Sequence, residues 1–263
     1  MWRFVSRIRG VSLRLPNKLT PEGAKYEPCG PDDCTLKDIK PRDEGRPKFT
    51  VCIEGNIGSG KSTLLNYLSK FREVEVLDEQ IDKWRSVKGN NLLELVYRDP
   101  ARWSYLFQSY VQLTMAESHA MSTAAPVKLL ERSIHSARFC FVENLYLSGK
   151  MSESEYHVYC EWYKWLTEYF DCRVDLVVYL RTDPRLVYAR AKSRARVEEQ
   201  EVPLKYFEDL HKRYEEWMCE ERFPLPAPVF VLDANDDLPS MYRKYKLFTH
   251  AILNNKSFLA SLV

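Results

Sequence analysis

Gly55-Asn56-Ile57-Gly58-Ser59-Gly60-Lys61-Ser62 decides the reading of this chain. The eight residues fit G-x-x-x-x-G-K-[ST], with Thr63 following. Just before them lies the apolar run Phe49–Glu54, and just after them a helical pattern over Ser62–Phe71. Glycines let backbone amides close around phosphate oxygens with no Cβ in the way. The helix that follows adds its N-terminal amides and the positive end of its dipole. Lys61 is placed to reach the β- and γ-phosphates, and the Ser62 hydroxyl to ligate Mg²⁺. The loop therefore implies a nucleoside triphosphate and Mg²⁺, but motors, GTPases and small-molecule kinases share it.

Outward from the loop, short apolar runs alternate with longer amphipathic stretches. Phe49–Glu54, Val74–Leu77, Val127–Leu130, Leu176–Leu180 and Val229–Leu232 are continuous rather than alternating, as parallel strands covered on both faces are. Trp103, Phe107, Val111 and Met115 recur every four residues, and Tyr159, Trp162, Tyr163, Leu166 and Phe170 mark a second helix. The expected fold is a doubly wound α/β domain over residues 48–263, with a five-stranded parallel sheet flanked by helices.

Residues 1–47 are different. Six prolines and little periodicity give a segment that rarely packs. Arg3, Arg7, Arg9, Arg14 and Lys18 stand in the first twenty residues with no Asp or Glu, leaving 34 basic against all 37 acidic residues beyond them. Phe4, Ile8, Val11 and Leu15 fall at helical spacing beside Arg3, Arg7 and Arg14, which suggests an amphipathic mitochondrial presequence. A basic tail on a cytosolic protein and a nuclear signal are the alternatives. No apolar stretch is long enough to cross a bilayer, and a net charge of +2 does not mark a binder of nucleic-acid polymers. Seven cysteines, an odd number with no C-x-x-C pair, suggest free thiols in a reducing compartment.

Three further features separate the classes that share the loop. No N-K-x-D motif for guanine is present, and a large motor needs more chain. A small-molecule kinase needs an acceptor site, charge around the transferring phosphoryl group, and a basic lid. The second strand ends at Asp78-Glu79 and the third at Glu131-Arg132-Ser133, where ligands of parallel sheets bind. A carboxylate there can take a proton from an attacking hydroxyl, and a guanidinium beside it can hold that carboxylate and stabilise developing charge. Arg190, Lys192, Arg194 and Arg196, with Glu198 and Glu199, lie at lid distance beyond the fourth strand.

At these residues a resemblance appears. Glu54–Ser62, Asp82-Lys83-Trp84-Arg85, Phe107-Gln108-Ser109-Tyr110-Val111, Glu131–Arg138 and Tyr179-Leu180-Arg181-Thr182 resemble the deoxyribonucleoside kinases, and within them the mitochondrial and insect branches. The resemblance spans about residues 48–235. It implies a P-loop kinase fold with a basic lid, a homodimer, and transfer of the ATP γ-phosphate to the 5′-hydroxyl of a deoxyribonucleoside in salvage. It also implies roles. Glu79 matches the general base, Arg132 its partner on the 5′-oxygen, and Glu131 an acidic position near Mg²⁺. Tyr97 and Glu199 match a pair on the sugar 3′-hydroxyl, and Arg190, Arg194 and Arg196 match lid positions around the phosphates. Gln108 matches the reader of the base edge, with Phe107, Trp84 and Phe141 packing the ring.

The chemistry of these residues agrees with those roles. The Gln108 amide offers one acceptor and one donor end, which suits thymine or, rotated, cytosine. Val111, Met115 and Ala137 are small or apolar, whereas the deoxycytidine and purine kinases of the family carry charge at two such places. Thymidine and deoxycytidine are therefore the expected substrates. Two departures stand out. Gln80 replaces a usual proline after the general base, which is expected to loosen it, and Val96 replaces a usual methionine before Tyr97, which is expected to widen the sugar side. Two rivals fit less well: a nucleoside monophosphate kinase needs a second phosphate site, and a non-catalytic structural subunit has no use for Lys61, Glu79 and Arg132 together.

Overall fold

The computed structural model describes residues 49–253 and, in the N-terminal segment, Arg7–Ile8 and Val11–Arg14; of these six, and of residues 248 and 250–253, only the backbone is described. The strands are β1 (Arg7–Ile8), β2 (Val11–Arg14), β3 (Phe49–Gly55), β4 (Val74–Leu77), β5 (Val127–Glu131), β6 (Leu176–Arg181) and β7 (Val229–Asp233). The helices are α1 (Lys61–Leu68), α2 (Ile81–Arg85), α3 (Leu92–Arg98), α4 (Pro100–Ala120), α5 (Ile134–Ser136), α6 (Glu143–Leu147), α7 (Glu153–Tyr169), α8 (Pro184–Arg194), α9 (Leu204–Met218) and α10 (Leu238–Leu253). A π-helical stretch, Ala137–Val142, joins α5 to α6, and a 3₁₀ turn, Val197–Glu199, lies between α8 and α9.

The sheet runs β1-β2-β7-β6-β3-β5-β4, and β7, β6, β3, β5 and β4 are parallel. This is the expected five-stranded parallel core. β3 lies at its centre, with β6 on one side and β5 on the other, so the chain leaves β3 where the sheet order reverses. That is where open α/β sheets take ligands. The addition is β1 and β2, which pair with each other and, through Val11↔Leu232 to Arg14↔Val229, antiparallel with β7. Ile8 and Val11 thus lie in strands, not in the helix their spacing predicts; Phe4 and Leu15 fall outside the described residues. The physical reason is the open edge of β7, whose unpaired backbone groups favour a partner strand. The remainder of the 1–47 segment, with its targeting reading and Cys29 and Cys34, also lies outside the described residues.

Alternation along the strands assigns the two faces. Val51 and Ile53 of β3 turn to the face covered by α1 and α10, against Leu64, Leu65, Leu68, Met241 and Tyr245. Cys52 turns to the other, against Val187 of α8 and Phe207, Leu210, Tyr214 and Trp217 of α9. Leu64, Leu65 and Leu68 are fully buried, each worth about 1.5–3 kcal/mol of transfer from water. This burial seats α1, and so fixes the loop that precedes it. A third cluster lies beyond the sheet. Trp84 of α2, Leu92, Leu93 and Val96 of α3, and Phe107, Val111 and Met115 of α4 pack there with Ala137. Asn91 caps α3 by accepting from the Glu94 amide, and Asp99 caps α4 ahead of Pro100. No helix among the described residues is long and apolar enough to cross a membrane.

Candidate active site

The phosphate loop is shaped by one close approach and one left-handed turn. Gly58 has φ 79°, and a Cβ there would lie 2.7 Å from the Val187 carbonyl oxygen. Gly60, φ 97°, turns the chain into α1. Asn56 braces the loop from behind: its Oδ1 accepts from the Ile57 amide at 2.8 Å, and its Nδ2 donates to the Phe207 carbonyl at 2.8 Å. Gly55 and Asn56 therefore shape the loop from outside the cavity, whereas Ile57 to Thr63 line it. Lys61 folds over the loop and donates from Nζ to the Asn56 carbonyl at 3.0 Å, with Glu131 Oε1 at 4.0 Å. Burial, reinforced by the positive charge of Arg132, lowers the Lys61 ammonium to about 8. Ser62 Oγ donates to the Glu131 carboxylate at 3.1 Å. Burial raises the Glu131 carboxyl, while Lys61 opposes the shift.

Arg132 follows β5 with φ 66°, a left-handed conformation that costs a non-glycine residue about 1–3 kcal/mol. Its side chain is almost wholly buried. Nη1 donates to the Gly55 carbonyl at 2.9 Å and to the Tyr214 hydroxyl at 2.6 Å. Nε lies 2.8 Å from Glu79 Oε1, a contact of charges without hydrogen-bond alignment. The guanidinium also lies 4.7 Å over the Phe141 ring. Burial disfavours its charge, yet Tyr214, Glu79, Glu54 and Glu131 outweigh that effect and hold it above the ordinary arginine range. Behind it, fully buried Glu54 accepts from Ser133 Oγ at 2.6 Å and from the Tyr214 hydroxyl at 3.1 Å; burial raises its carboxyl. Gln80 keeps φ at −78°, where a proline would hold it, and its Nε2 donates to the Asp78 carbonyl at 2.9 Å. The turn carrying Glu79 thus has the backbone angle that a proline would give it.

These groups share one open cavity of about 1370 Å³. A single small ligand usually occupies about 300–1,000 Å³, so this volume suits two. One part is lined by the phosphate loop, Arg190, the 234–238 turn and Tyr245. The other is lined by Trp84, Val96, Tyr97, Phe107, Gln108, Val111, Met115, Ala137 and Phe141. There Trp84 meets Phe107 edge to face at 5.7 Å, and its Nε1 donates to Thr114. Gln108 is buried, with no hydrogen-bond partner on Oε1 among the described residues.

The lid is differently paired from what its charge run suggests. Arg194 and Arg196 donate to Glu199, at 2.6 Å and 3.2 Å. Arg190 donates to the Ala234 and Asp236 carbonyls. Burial raises the Tyr97 hydroxyl, and Tyr206 and then Glu199 add to the shift. Sequence reasoning passed over Glu54, Tyr206, Tyr214 and the Arg85–Glu198 pair. For Glu54 a signal existed, since a carboxylate closes an apolar strand just before the loop. For the tyrosines none did, because α9 lies some 160 residues from β3.

A Gly58→Ala substitution tests the close approach at the loop. The positive φ and the 2.7 Å contact with backbone act together, so the variant should lose about 1–3 kcal/mol of stability, read as a lower urea midpoint, and should lose affinity for a nucleoside triphosphate in calorimetry.

Comparison with known proteins agrees with this architecture. A family model described as "Deoxynucleoside kinase" matches residues 51–256. The chain is 48% identical to "Thymidine kinase 2, mitochondrial" of Homo sapiens over 204 residues, 77% of each chain. It is 35% identical to "Deoxycytidine kinase 2" of Gallus gallus over 242 residues, 80% of this chain and 90% of that one. Against the Homo sapiens "Deoxycytidine kinase" the figure is 33% over 230 residues, 76% and 88% of the two chains. With a triphosphate-type loop and a second, aromatic-walled compartment joined at Glu79 and Arg132, this chain belongs to the deoxynucleoside kinase family of phosphotransferases.

Proposed function

We propose that this protein transfers the γ-phosphoryl group of ATP to the 5′-hydroxyl of thymidine and deoxycytidine. The observation that carries the reading is the Glu79 carboxylate against Arg132, in the one cavity that both the phosphate loop and the aromatic slot line. Glu79 takes the 5′-hydroxyl proton as that oxygen attacks the γ-phosphorus, and the bond to the β-phosphate oxygen breaks, releasing ADP. Arg132 stabilises charge on the attacking oxygen, and Lys61 with Arg190, Arg194 and Arg196 does so on the phosphates.

Ser62 and Glu131 offer oxygen atoms side by side, a donor set that fits Mg²⁺ bound chiefly through substrate phosphates. When bound, that ion supplies positive charge beside the phosphates. Gln108 reads the base, with Phe107, Trp84 and Phe141 enclosing the ring and Val111, Met115 and Ala137 leaving space for a 5-methyl group without offering charge to a purine. Tyr97 and Glu199 take the sugar 3′-hydroxyl, and Val96 leaves that side roomier.

The basic N-terminus and the mitochondrial relative support a location in the mitochondrial matrix. Exposed Val158 and Trp162, one turn apart on α7, support a homodimer through that face. Residues 48–263 would then form the catalytic domain.

Phosphorylation of the four deoxynucleosides and of thymidine monophosphate by the purified chain tests the reading. Thymidine and deoxycytidine should lead; a purine deoxynucleoside or the monophosphate outrunning thymidine overturns it. Glu79→Gln should lower kcat by about 10²–10⁴-fold, the usual span of a general base, with the fold intact by circular dichroism. The pH dependence follows from Lys61, which binds phosphate as a cation and in the free protein loses its proton as pH rises through about 8. Accordingly kcat/KM for ATP should fall above that pH, while kcat at saturating ATP, where the phosphates favour the ammonium, should persist higher. Lys61→Arg should show no inflection near pH 8 in the activity it keeps.

A further inference from the structure

Two carboxylates leave the 3₁₀ turn Val197–Glu199 in different directions. The ion pairs of Glu199 stay within the lid, with Arg194 and Arg196. That of Glu198 crosses to the body of the protein. Arg85, the last residue of α2, donates from Nε to Glu198 Oε1 at 2.7 Å and from Nη2 to Oε2 at 2.9 Å. A two-point contact of this kind fixes orientation as well as distance. The Glu198 side chain is only 8% exposed, and Arg85 35%, so the pair is shielded more than an ordinary surface bridge. The Arg85 hydrogen bonds hold the Glu198 carboxyl down to about 2, and the Asn91 side chain at the start of α3 adds to this.

The neighbours on each side give the contact its meaning. Arg85 directly follows Trp84, whose ring meets Phe107 in the slot. Glu198 directly precedes Glu199, which lines the cavity near Tyr97. One ion pair therefore joins the wall of the base compartment to the turn that carries the sugar-side carboxylate. Among the described residues, the ion pairs of Glu199 itself reach only Arg194 and Arg196, within its own segment.

We propose that the Arg85–Glu198 pair is a positioning element that docks the lid turn on α2 so that Glu199, beside Tyr97, meets the 3′-hydroxyl of the acceptor. This rests on the nucleoside reading above and assigns to it an arginine on the cavity wall and a carboxylate that does not line the cavity.

Steady-state kinetics of the full chain with ATP, using thymidine and 3′-deoxythymidine as alternative acceptors, tests the assignment. The wild type should prefer thymidine in kcat/KM. Arg85→Gln and Glu198→Gln should each shrink that preference about tenfold or more, as expected when a binding group is displaced by a fraction of an ångström to an ångström. The loss should fall on KM for thymidine, leaving 3′-deoxythymidine almost unaffected. The exchanged pair R85E/E198R should regain part of the preference. Lys83→Gln, on the same helix but in an exposed pair with Glu117, should leave it unchanged.

An equal loss for both acceptors would make the pair merely structural and overturn the proposal. So would an undiminished preference in Arg85→Gln, or a change in Lys83→Gln as large. A wild-type protein that phosphorylates neither acceptor would overturn the nucleoside reading itself, and this proposal with it, a result distinct from the others.

Discussion

The guanidinium of Arg132 is the constraint around which the site is arranged. It lies in the interior at the carboxyl end of β5, in a left-handed backbone conformation, joined to Gly55, Tyr214 and Glu79. Isolated charges are expensive to bury, so they persist where partners surround them. Here Tyr214, Glu79, Glu54 and Glu131 all favour the charge. The three carboxyls and two cations, Arg132 and Lys61, come from β3, α1, β5 and the turns after β4 and β5. A core of that composition is poor economy for stability alone. It is understandable as a preorganised field for a reaction in which negative charge moves between two oxygens. The contact between Arg132 and Glu79 brings the two charges to 2.8 Å without hydrogen-bond alignment.

The cations assigned to phosphate already have protein acceptors. Lys61 holds the Asn56 carbonyl, Arg190 those of Ala234 and Asp236, and Arg194 and Arg196 the Glu199 carboxylate. A triphosphate must therefore exchange for these partners, so its net gain is smaller than its charge suggests. The exchange at Glu199 differs from the others. On the proposed reading, drawing Arg194 and Arg196 toward phosphate would free the carboxylate assigned to the sugar, so that donor and acceptor subsites would meet in one side chain. A reciprocal coupling between the two substrates follows from this shared group.

Much of this was legible in the residues, and the misses have physical causes. Continuous apolar runs located all five parallel strands, but four of the strands end one residue later than their runs. The added residues, Gly55, Glu131, Arg181 and Asp233, are polar or bear no side chain. Hydrophobicity stops at the core, whereas the hydrogen-bond ladder continues into the site. Only β4, which ends at Leu77 as its run does, is an exception. At the N-terminus the four-residue spacing suggested a helix, yet Val11 and Leu13 also alternate, and the open edge of β7 decides between the patterns. The run Arg190–Glu199 revealed that charges crowd there. It did not reveal that Glu199 faces its own lid and Glu198 crosses to a residue 113 positions away.

The acceptor compartment shows how a few local choices can yield selectivity. Phe107, Val111 and Met115 lie on one face of α4 because they recur every four residues, and Gln108 joins them three residues before Val111. All four are buried. Three are apolar, and the fourth has a carbonyl oxygen with no partner among the described residues. A buried acceptor left unmatched costs about 1–3 kcal/mol. Ring N–H groups or exocyclic amines that reach Gln108 relieve that cost, and an apolar ring of the same size does not. On the proposed reading, Trp84 and Phe107 set the width of the slot, and the Gln108 amide sets the polarity of the edge it admits. Width and polarity are thus fixed by different residues on rigid helices, so either can change by substitution without disturbing Glu79 and Arg132.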